Sequence, residues 1–161
     1  PAANLLCAEG TGFKTAMKVL DNSRLDVAAT ALGIAEAALA DATRWMRERQ
    51  IGGEPIASKQ GLQWMLADMK LRLEASWALT LQALALRQAG QPFTLQSAMA
   101  KLHASEMVGF VTDAALQIHG GYGYTREMPL ERYVRDARIL RIYEGSSEVQ
   151  RNIIARMVLA D

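Results

Sequence analysis

The chain has 161 residues, of which 50% are hydrophobic and 22% charged, and its formal net charge is +1. This composition is typical of a globular domain, not of a disordered chain, and it offers no basic surface for nucleic acid. The single cysteine, Cys7, excludes an internal disulfide and a cysteine-rich metal site. No apolar run approaches the roughly 20 residues that span a bilayer, so we expect neither a membrane nor a nucleic-acid partner.

Helical periodicity runs along most of the chain, and strand signals are nearly absent. Residues 1–20 are expected to be a turn-rich lead-in, and residues 21–161 a single helical domain. After the stretch "DNSRLD", apolar residues recur at three- and four-residue steps. They predict a helix of about seven turns that ends at "QIGGEP". The residues of this stripe are Val27, Ala28, Ala31, Leu32, Ala35, Ala38, Leu39, Ala42, Trp45 and Met46.

Two more long helices are predicted downstream. Ser58 is a candidate N-cap, and the apolar pattern after it predicts a helix to about Gln88. A third helix is expected from about Thr94 to the glycine-rich stretch "HGGYGYT". Small residues along one face of this third helix would allow a neighbouring helix to approach closely.

Two shorter helices complete the prediction. Pro129 suits the first turn of a helix that runs through Arg141, and a last helix follows the turn around Glu144. Long helices with short breaks predict an all-α fold, an up-down helical bundle.

Metal binding and nucleophilic catalysis have little support in the residues. The two histidines, His103 and His119, have no carboxylates clustered at ligand spacing, so no metal site is predicted. Cys7 has no identifiable base near it, and no serine lies in an elbow motif.

Two stretches each allow two interpretations. The glycines of "QIHGGYGYT" suit a helix C-cap and turn, or a backbone that phosphate approaches closely. No strand precedes them, so they are not a Rossmann fingerprint. Arg47 and Arg49 either complement a helix C-terminus or present a guanidinium to a phosphate.

Glu144 lies on a turn just before the last helix. It is either a solvated loop residue or a general base, since the apolar Ile142 and Tyr143 precede it. Gly145 would let a ligand approach the backbone, and Ser146 begins a stretch typical of a capped helix N-terminus. Such an N-terminus can donate hydrogen bonds to an anion or an oxygen.

Several stretches together resemble the C-terminal helical domain of the flavin-dependent acyl-CoA dehydrogenases. They are "GTGFKTAMKVLDNSR", "QGLQWMLADMK" and the long run "QIHGGYGYTREMPLERYVRDARILRIYEGSSEVQRNIIAR". The resemblance covers essentially the whole chain, and the last stretch is specific to this family. It implies a four-helix bundle with extra short C-terminal helices. It also implies that the chain is the C-terminal part of a three-domain enzyme, preceded by a helical domain and a β-domain.

The resemblance implies α,β-dehydrogenation of an acyl-CoA thioester, a reaction of fatty acid metabolism. In the family, a glutamate removes the α-proton while the β-hydrogen leaves as hydride to flavin N5 of FAD. The "IYEG" glutamate is that base in most branches, and here it is Glu144. Other branches carry the base in an "LDxxR" stretch, where this chain has Ser23. The base's backbone N–H and a flavin hydroxyl bind the thioester oxygen in the family, as in an oxyanion hole.

The resemblance also implies binding roles. Residues expected to contact acyl-CoA are Asp21, Arg24 and Gly145. Residues expected to contact FAD are Arg49, Gln60, Gln117, Gly120, Gly121, Ser146 and Glu148. Arg49 and the segment from Gln117 to Gly121 are expected to reach the FAD of a partner subunit. One position departs from the family, because Gly52 stands where a phenylalanine is usual. We therefore expect a missing aromatic contact and a looser backbone there.

The family's partners complete these expectations. The intact protein would be a homotetramer, a dimer of dimers, that passes electrons to an electron-transfer flavoprotein. It would lie in the cytoplasm of a bacterium or in the mitochondrial matrix of a eukaryote. The isolated domain is expected to bind FAD weakly and to be inactive. The alternatives are an acyl-CoA oxidase, a nitroalkane oxidase, which would have an aspartate as base, and a non-catalytic oligomerisation module.

Overall fold

The computed structural model describes residues 1–160. Short 3₁₀ turns lie at Ala2–Asn4 and Ile56–Ser58. The other elements, in chain order, are α1 (Gly12–Glu48), β1 (Gln50–Ile51), β2 (Glu54–Pro55), α2 (Gln60–Gln88), α3 (Thr94–His119), α4 (Gly121–Tyr124), α5 (Leu130–Ile139) and α6 (Ser147–Val158).

Helix α3 is the centre of an up-down four-helix bundle. It packs against α1, α2, α5 and α6. Its buried face is rich in alanine and serine, which lets the neighbouring helices approach closely. The prediction of an all-α bundle with extra short C-terminal helices is confirmed. No helix within residues 1–160 has the length and apolar character needed to cross a membrane.

The first helix begins much earlier than the sequence indicated. Helix α1 starts at Gly12, so residues 12–20 of the segment predicted as a lead-in are helical. The polar stretch "DNSR" lies inside this helix. There Asn22 Nδ2 donates to Lys18 O at 2.9 Å, and Ser23 Oγ lies 3.2 Å from Leu20 O. The Asn22 side chain is thus satisfied within the preceding turn. The apolar stripe after Asp26 was predicted correctly and faces the core.

Two other boundaries differ from the prediction. Helix α2 starts at Gln60 with Lys59 at the N-cap position, so Ser58 is not its cap. Instead, the Ser58 hydroxyl donates to Pro55 O at 2.9 Å, within the 3₁₀ turn. Helix α5 ends at Ile139, two residues before the predicted end, because Leu140 N and Ile142 N already make tighter turn bonds.

The glycine pair after α1 forms an ordered turn. Strands β1 and β2 pair in antiparallel fashion around Gly52 and Gly53, whose φ angles are +66° and +85°. A two-residue hairpin with both central φ angles positive suits Gly-Gly, because glycine adopts this conformation without steric cost. The expected missing aromatic contact and looser backbone at Gly52 stay predictions.

Candidate functional site

The turn between α5 and α6 places Glu144 in a strained conformation. Glu144 has φ +54° and is the only non-glycine residue with positive φ within residues 1–160. This left-handed conformation costs a residue with a side chain about 1–2 kcal/mol. Gly145 follows with φ +88°, and Ser147 N closes the turn by donating to Arg141 O at 3.1 Å. The surrounding contacts must therefore hold the turn in place.

Two buried side chains bind the turn from the core. Lys101 Nζ on α3 donates to Gly145 O at 2.6 Å. Gln150 Nε2 on α6 donates to Glu144 O at 3.2 Å and to Gly145 O at 3.0 Å. Both side chains are 0% exposed. The same Gln150 amide explains why residue 145 has no side chain, since a Cβ there would lie 2.4 Å from Gln150 Nε2.

Lys101 is an unusual charge to find in a core. Burial lowers the pKa of Lys101 below 10.5, and the nearby Arg24 lowers it further. The carboxylates of Glu106, Glu144 and Glu148 act in the opposite direction. The ammonium group is thus surrounded by acids and bonded to a backbone carbonyl, which offsets part of its desolvation.

Glu106 on α3 connects the two ends of the turn. Ser147 Oγ donates to Glu106 Oε1 at 2.7 Å, and Arg141 Nε lies 3.4 Å from Glu106 Oε2. Arg141 also donates to the carbonyl oxygens of Ser105 and Glu106, at 3.2 and 3.3 Å. Gly109 makes room for this guanidinium, because a Cβ at that position would lie 1.9 Å from Arg141 Nη2.

The Glu144 carboxylate faces a mainly apolar cleft. Ser23 Oγ on α1 donates to Glu144 Oε2 at 2.7 Å, although the two residues are 121 positions apart in sequence. The cleft has a volume of about 770 Å³. It is lined by Asn4, Leu5, Leu6, Cys7, Gly12, Thr15, Ala16, Val19, Leu20, Ser23 and Glu144. A carboxylate at the edge of an apolar cleft is arranged to act on the end of a largely apolar molecule.

The predicted acyl-CoA contacts lie at the same end of the bundle. Arg24 is 5% exposed and its Nη1 lies 2.5 Å from Asp21 Oδ1. Thr94 Oγ1 donates to the other Asp21 oxygen at 2.7 Å. Asp21 is therefore occupied by two protein donors, and it holds α1 against the start of α3. Within residues 1–160, Arg24 Nε has no hydrogen-bond partner.

Ser146 and Glu148 lie at the start of α6, beside the same turn. Ser146 is the N-cap residue, and its side chain makes no capping bond to the helix backbone. A hydrogen bond with the Ser146 hydroxyl lowers the pKa of the exposed Glu148 carboxyl below its ordinary value of 4.5. The helix start thus presents a hydroxyl and a carboxylate next to Glu144.

A second group of predicted residues surrounds another cleft. Arg49 and the glycines Gly120 and Gly121 line a space of about 460 Å³ together with aromatic side chains. The Arg49 guanidinium carbon lies 5.4 Å from the ring centroid of Tyr122. Trp45 stacks on His119 with a centroid distance of 5.0 Å. Gly120 has φ +60°, and a Cβ on Gly121 would meet no atom within 4 Å, so the backbone there is open to a ligand.

The two groups lie at opposite ends of the bundle. Ser23 and Arg49 are separated along α1 by 26 residues, which corresponds to about 39 Å of helix. Gln60 begins α2 beside the hairpin, and Gln117 is in the last turn of α3, so both belong to the Arg49 end. The residues predicted to contact FAD are therefore split, with only Ser146 and Glu148 beside Glu144.

The residues that hold the Glu144 turn were missed from the sequence. The helices were predicted from their apolar residues, and that pattern says nothing about the polar residues Lys101, Glu106 and Gln150 on the same helices. A signal did exist for Lys101, which lies three residues after Ala98 and three before Ala104, both fully buried. A charged residue in a buried row of a helix indicates a specific partner. Within residues 1–160, no group of three or more His, Cys, Asp or Glu side chains could hold a metal ion.

Comparison with known sequences gives a consistent set of relatives. Residues 10–159 match the family model described as "Acyl-CoA dehydrogenase, C-terminal domain". The chain is 54% identical to the acryloyl-CoA reductase (NADH) of Anaerotignum propionicum, over 99% of this chain and 40% of the relative. It is 50% identical to the short-chain specific acyl-CoA dehydrogenase, mitochondrial, of Rattus norvegicus, over 99% and 39%. The chain thus spans about 40% of the length of these relatives.

Solved structures share the fold closely. A chain of the structure described as the electron transferring flavoprotein of Acidaminococcus fermentans superposes with a TM-score of 0.99 at 48% identity, over 100% of this chain and 42% of that one. Butyryl-CoA dehydrogenase of Megasphaera elsdenii superposes with a TM-score of 0.97 at 48% identity, over 99% and 42%. The chain belongs to the acyl-CoA dehydrogenase family, a family of oxidoreductases, and corresponds to its C-terminal domain.

Proposed function

We propose that this chain is the C-terminal domain of an FAD-dependent dehydrogenase of short-chain acyl-CoA thioesters, in which Glu144 is the catalytic base. The observation that carries the proposal is the Glu144 carboxylate, bonded to Ser23 and facing an apolar cleft. Two of the relatives are named as short-chain specific acyl-CoA dehydrogenases, and these names supply the proposed substrate class.

In this proposal, the acyl chain lies in the cleft with its α-carbon beside the Glu144 carboxylate. Glu144 takes the α-proton, and the electron pair of that C–H bond forms the α,β double bond as the β-hydrogen leaves as hydride. FAD, when bound, supplies the hydride acceptor. The Glu144 N–H donates to no backbone carbonyl within residues 1–160, so it is free to bind the thioester oxygen. Glu144 would then act through its side chain and its backbone.

The residues present suit FAD at both ends of the bundle. Arg49 offers a planar guanidinium beside open glycine backbone and aromatic rings, a combination that suits the phosphates and the adenine of a dinucleotide. Ser146 and Glu148 offer polar groups beside the base. The distance of about 39 Å between the ends is too long for a single bound cofactor to contact both. We therefore propose that the Arg49 end serves the FAD of a partner subunit, in a dimer of dimers.

The electron partner and cellular location follow from the relatives. One structural relative carries the name of an electron transferring flavoprotein, and we propose such a protein as the electron acceptor. Cytoplasm in bacteria or the mitochondrial matrix in eukaryotes remains the proposed location. We propose that the isolated chain binds FAD weakly and does not turn over. The relative from Anaerotignum propionicum is about 2.5 times longer, and we propose that the rest of such a chain supplies the remaining contacts to FAD and substrate.

A second candidate function is the reverse reaction. The relative with 54% identity is named as an NADH-dependent acryloyl-CoA reductase. In that direction, Glu144 would return a proton to the α-carbon of a short enoyl-CoA after hydride addition at the β-carbon. Assays of both directions with the full-length enzyme separate the two candidates, and hydrogen peroxide formation identifies an oxidase.

The decisive variant is Glu144→Gln in the full-length enzyme. We expect kcat to fall by at least about 1,000-fold while FAD content is unchanged, because the amide cannot accept the proton. The matched control is Glu74→Gln, since Glu74 is exposed and pairs only with Lys70 on α2. Near-normal activity of Glu144→Gln would refute the base assignment.

A further inference from the structure

We infer that Lys101 and Gln150 are positioning residues for the proposed reaction: they hold the carbonyl oxygens of Glu144 and Gly145 and so keep the base in its left-handed conformation. This inference rests on the proposed function. Neither residue lines the apolar cleft, so both act through the turn and not on the substrate.

The first argument concerns strain. A glutamate with φ +54° keeps that conformation only when its surroundings over-determine it. The outer side of the turn gives little support, since Ile142 and Tyr143 are 53% and 39% exposed. The core side supplies three hydrogen bonds, one from Lys101 and two from Gln150. Together with Ser147 N on Arg141 O and the Ser23 hydroxyl on the Glu144 carboxylate, these donors hold the strained conformation.

The second argument concerns peptide geometry. Peptide groups are planar, so fixing a carbonyl oxygen fixes the orientation of its whole peptide plane. The Glu144 and Gly145 carbonyls belong to the two planes that follow the Glu144 Cα. The chain before Glu144 is held as well, because Tyr143 N donates to Ile139 O at 3.2 Å. With the chain fixed on both sides of the Glu144 Cα, the Glu144 side chain and N–H keep one direction relative to the cleft. Release of these planes would let Glu144 relax to negative φ and move both groups.

The third argument concerns the choice of a lysine. Lys101 is the one fully buried lysine within residues 1–160. An apolar residue would fill the same space without desolvating a charge. The Lys101 ammonium group donates a hydrogen bond of 2.6 Å to Gly145 O, which an apolar side chain could not do.

The test uses the full-length holoenzyme with the variants Lys101→Met and Gln150→Leu. Each variant removes donors while keeping a side chain of similar size. The matched control is Lys70→Met, because Lys70 is an exposed lysine on α2 that pairs with Glu74. All rates are expressed per bound flavin, so that loss of folded protein does not count as loss of function.

Two measurements separate positioning from simple stabilisation. We expect both variants to lower kcat by about 10–100-fold while KM for a short acyl-CoA changes less than about threefold. We also expect bound 3-ketoacyl-CoA to form about tenfold less enolate at a given pH, read by absorbance, because its oxygen loses an aligned donor. A residue that only stabilises the fold would change neither value per bound flavin.

Several results would overturn the inference. If either variant retains kcat within about twofold of the unmodified enzyme, that residue does not position the base. The same conclusion follows if kcat falls but enolate formation is unchanged. Glu144→Gln is measured in parallel. If that variant is active, the proposed function fails, and this inference fails with it. If Glu144→Gln is inactive while the Lys101 and Gln150 variants are active, only the positioning role is refuted.

Discussion

Replacing Gly145 with alanine tests whether the turn depends on the space that the Gln150 amide fills. The new Cβ would lie 2.4 Å from Gln150 Nε2, so this amide must move. Gln150 is fully buried and donates to two carbonyls, of which Glu144 O has no other donor among residues 1–160. Gly145→Ala is therefore destabilised by backbone strain and by the loss of buried hydrogen bonds.

The size of the effect follows from these two causes. Alanine at φ +88° costs about 1–2 kcal/mol, and the lost hydrogen bonds cost about 1–2 kcal/mol more. We expect a total loss of about 2–4 kcal/mol in the free energy of unfolding. For a chain of this size, that lowers the Tm by about 5–15 °C.

Gly90→Ala is the matched control for Gly145→Ala. Gly90 also has a positive φ, +66°, but a Cβ there would meet no atom within 4 Å. This variant is expected to show only the strain of about 1–2 kcal/mol. Thermal and urea unfolding of both variants, followed by circular dichroism, give the comparison. Equal losses for the two variants would refute the reasoning, because they would show that the Gln150 contact contributes nothing.

Two further predictions concern α3. Gly109→Ala should displace the Arg141 guanidinium from its carbonyl partners and destabilise the chain by about 1–2 kcal/mol. Its control is Gly33→Ala at an open helical position, which should stabilise the chain by about 0.5–1 kcal/mol. Urea unfolding measures both variants, and stabilisation by both would show that alanine at position 109 does not clash with Arg141. Burial first, and then Arg72, lower the pKa of His103 below 6.5, so the stability that depends on neutral His103 is present above pH 6.5 and lost as the pH falls through the folded-state pKa. His103→Gln should therefore flatten the loss of stability below pH 6.5 in urea titrations at several pH values, and an unchanged slope would show that His103 does not cause it.

Much of the local structure was readable from the sequence. The three long helices follow from apolar residues at three- and four-residue steps, and the glycine-rich breaks follow from the conformations that only glycine adopts easily. The "YEGSS" turn was visible as an interruption of this pattern. The error at Ser58 arises because a polar side chain can bond to a preceding turn as well as cap a helix.

The sequence by itself determined the helices, the Glu144 turn and, through its motifs, the family. Only the tertiary structure decided which residues meet at that turn. The hydrogen bond between Ser23 and Glu144 and the burial of Lys101 beneath Gly145 depend on the register in which α1, α3 and α6 pack. The tertiary structure also places the Arg49 cleft far from Glu144, because Glu144 bonds to Ser23, which lies 26 residues before Arg49 along α1. Periodicity reports the neighbours along one helix, whereas contacts between helices depend on packing that no local pattern contains.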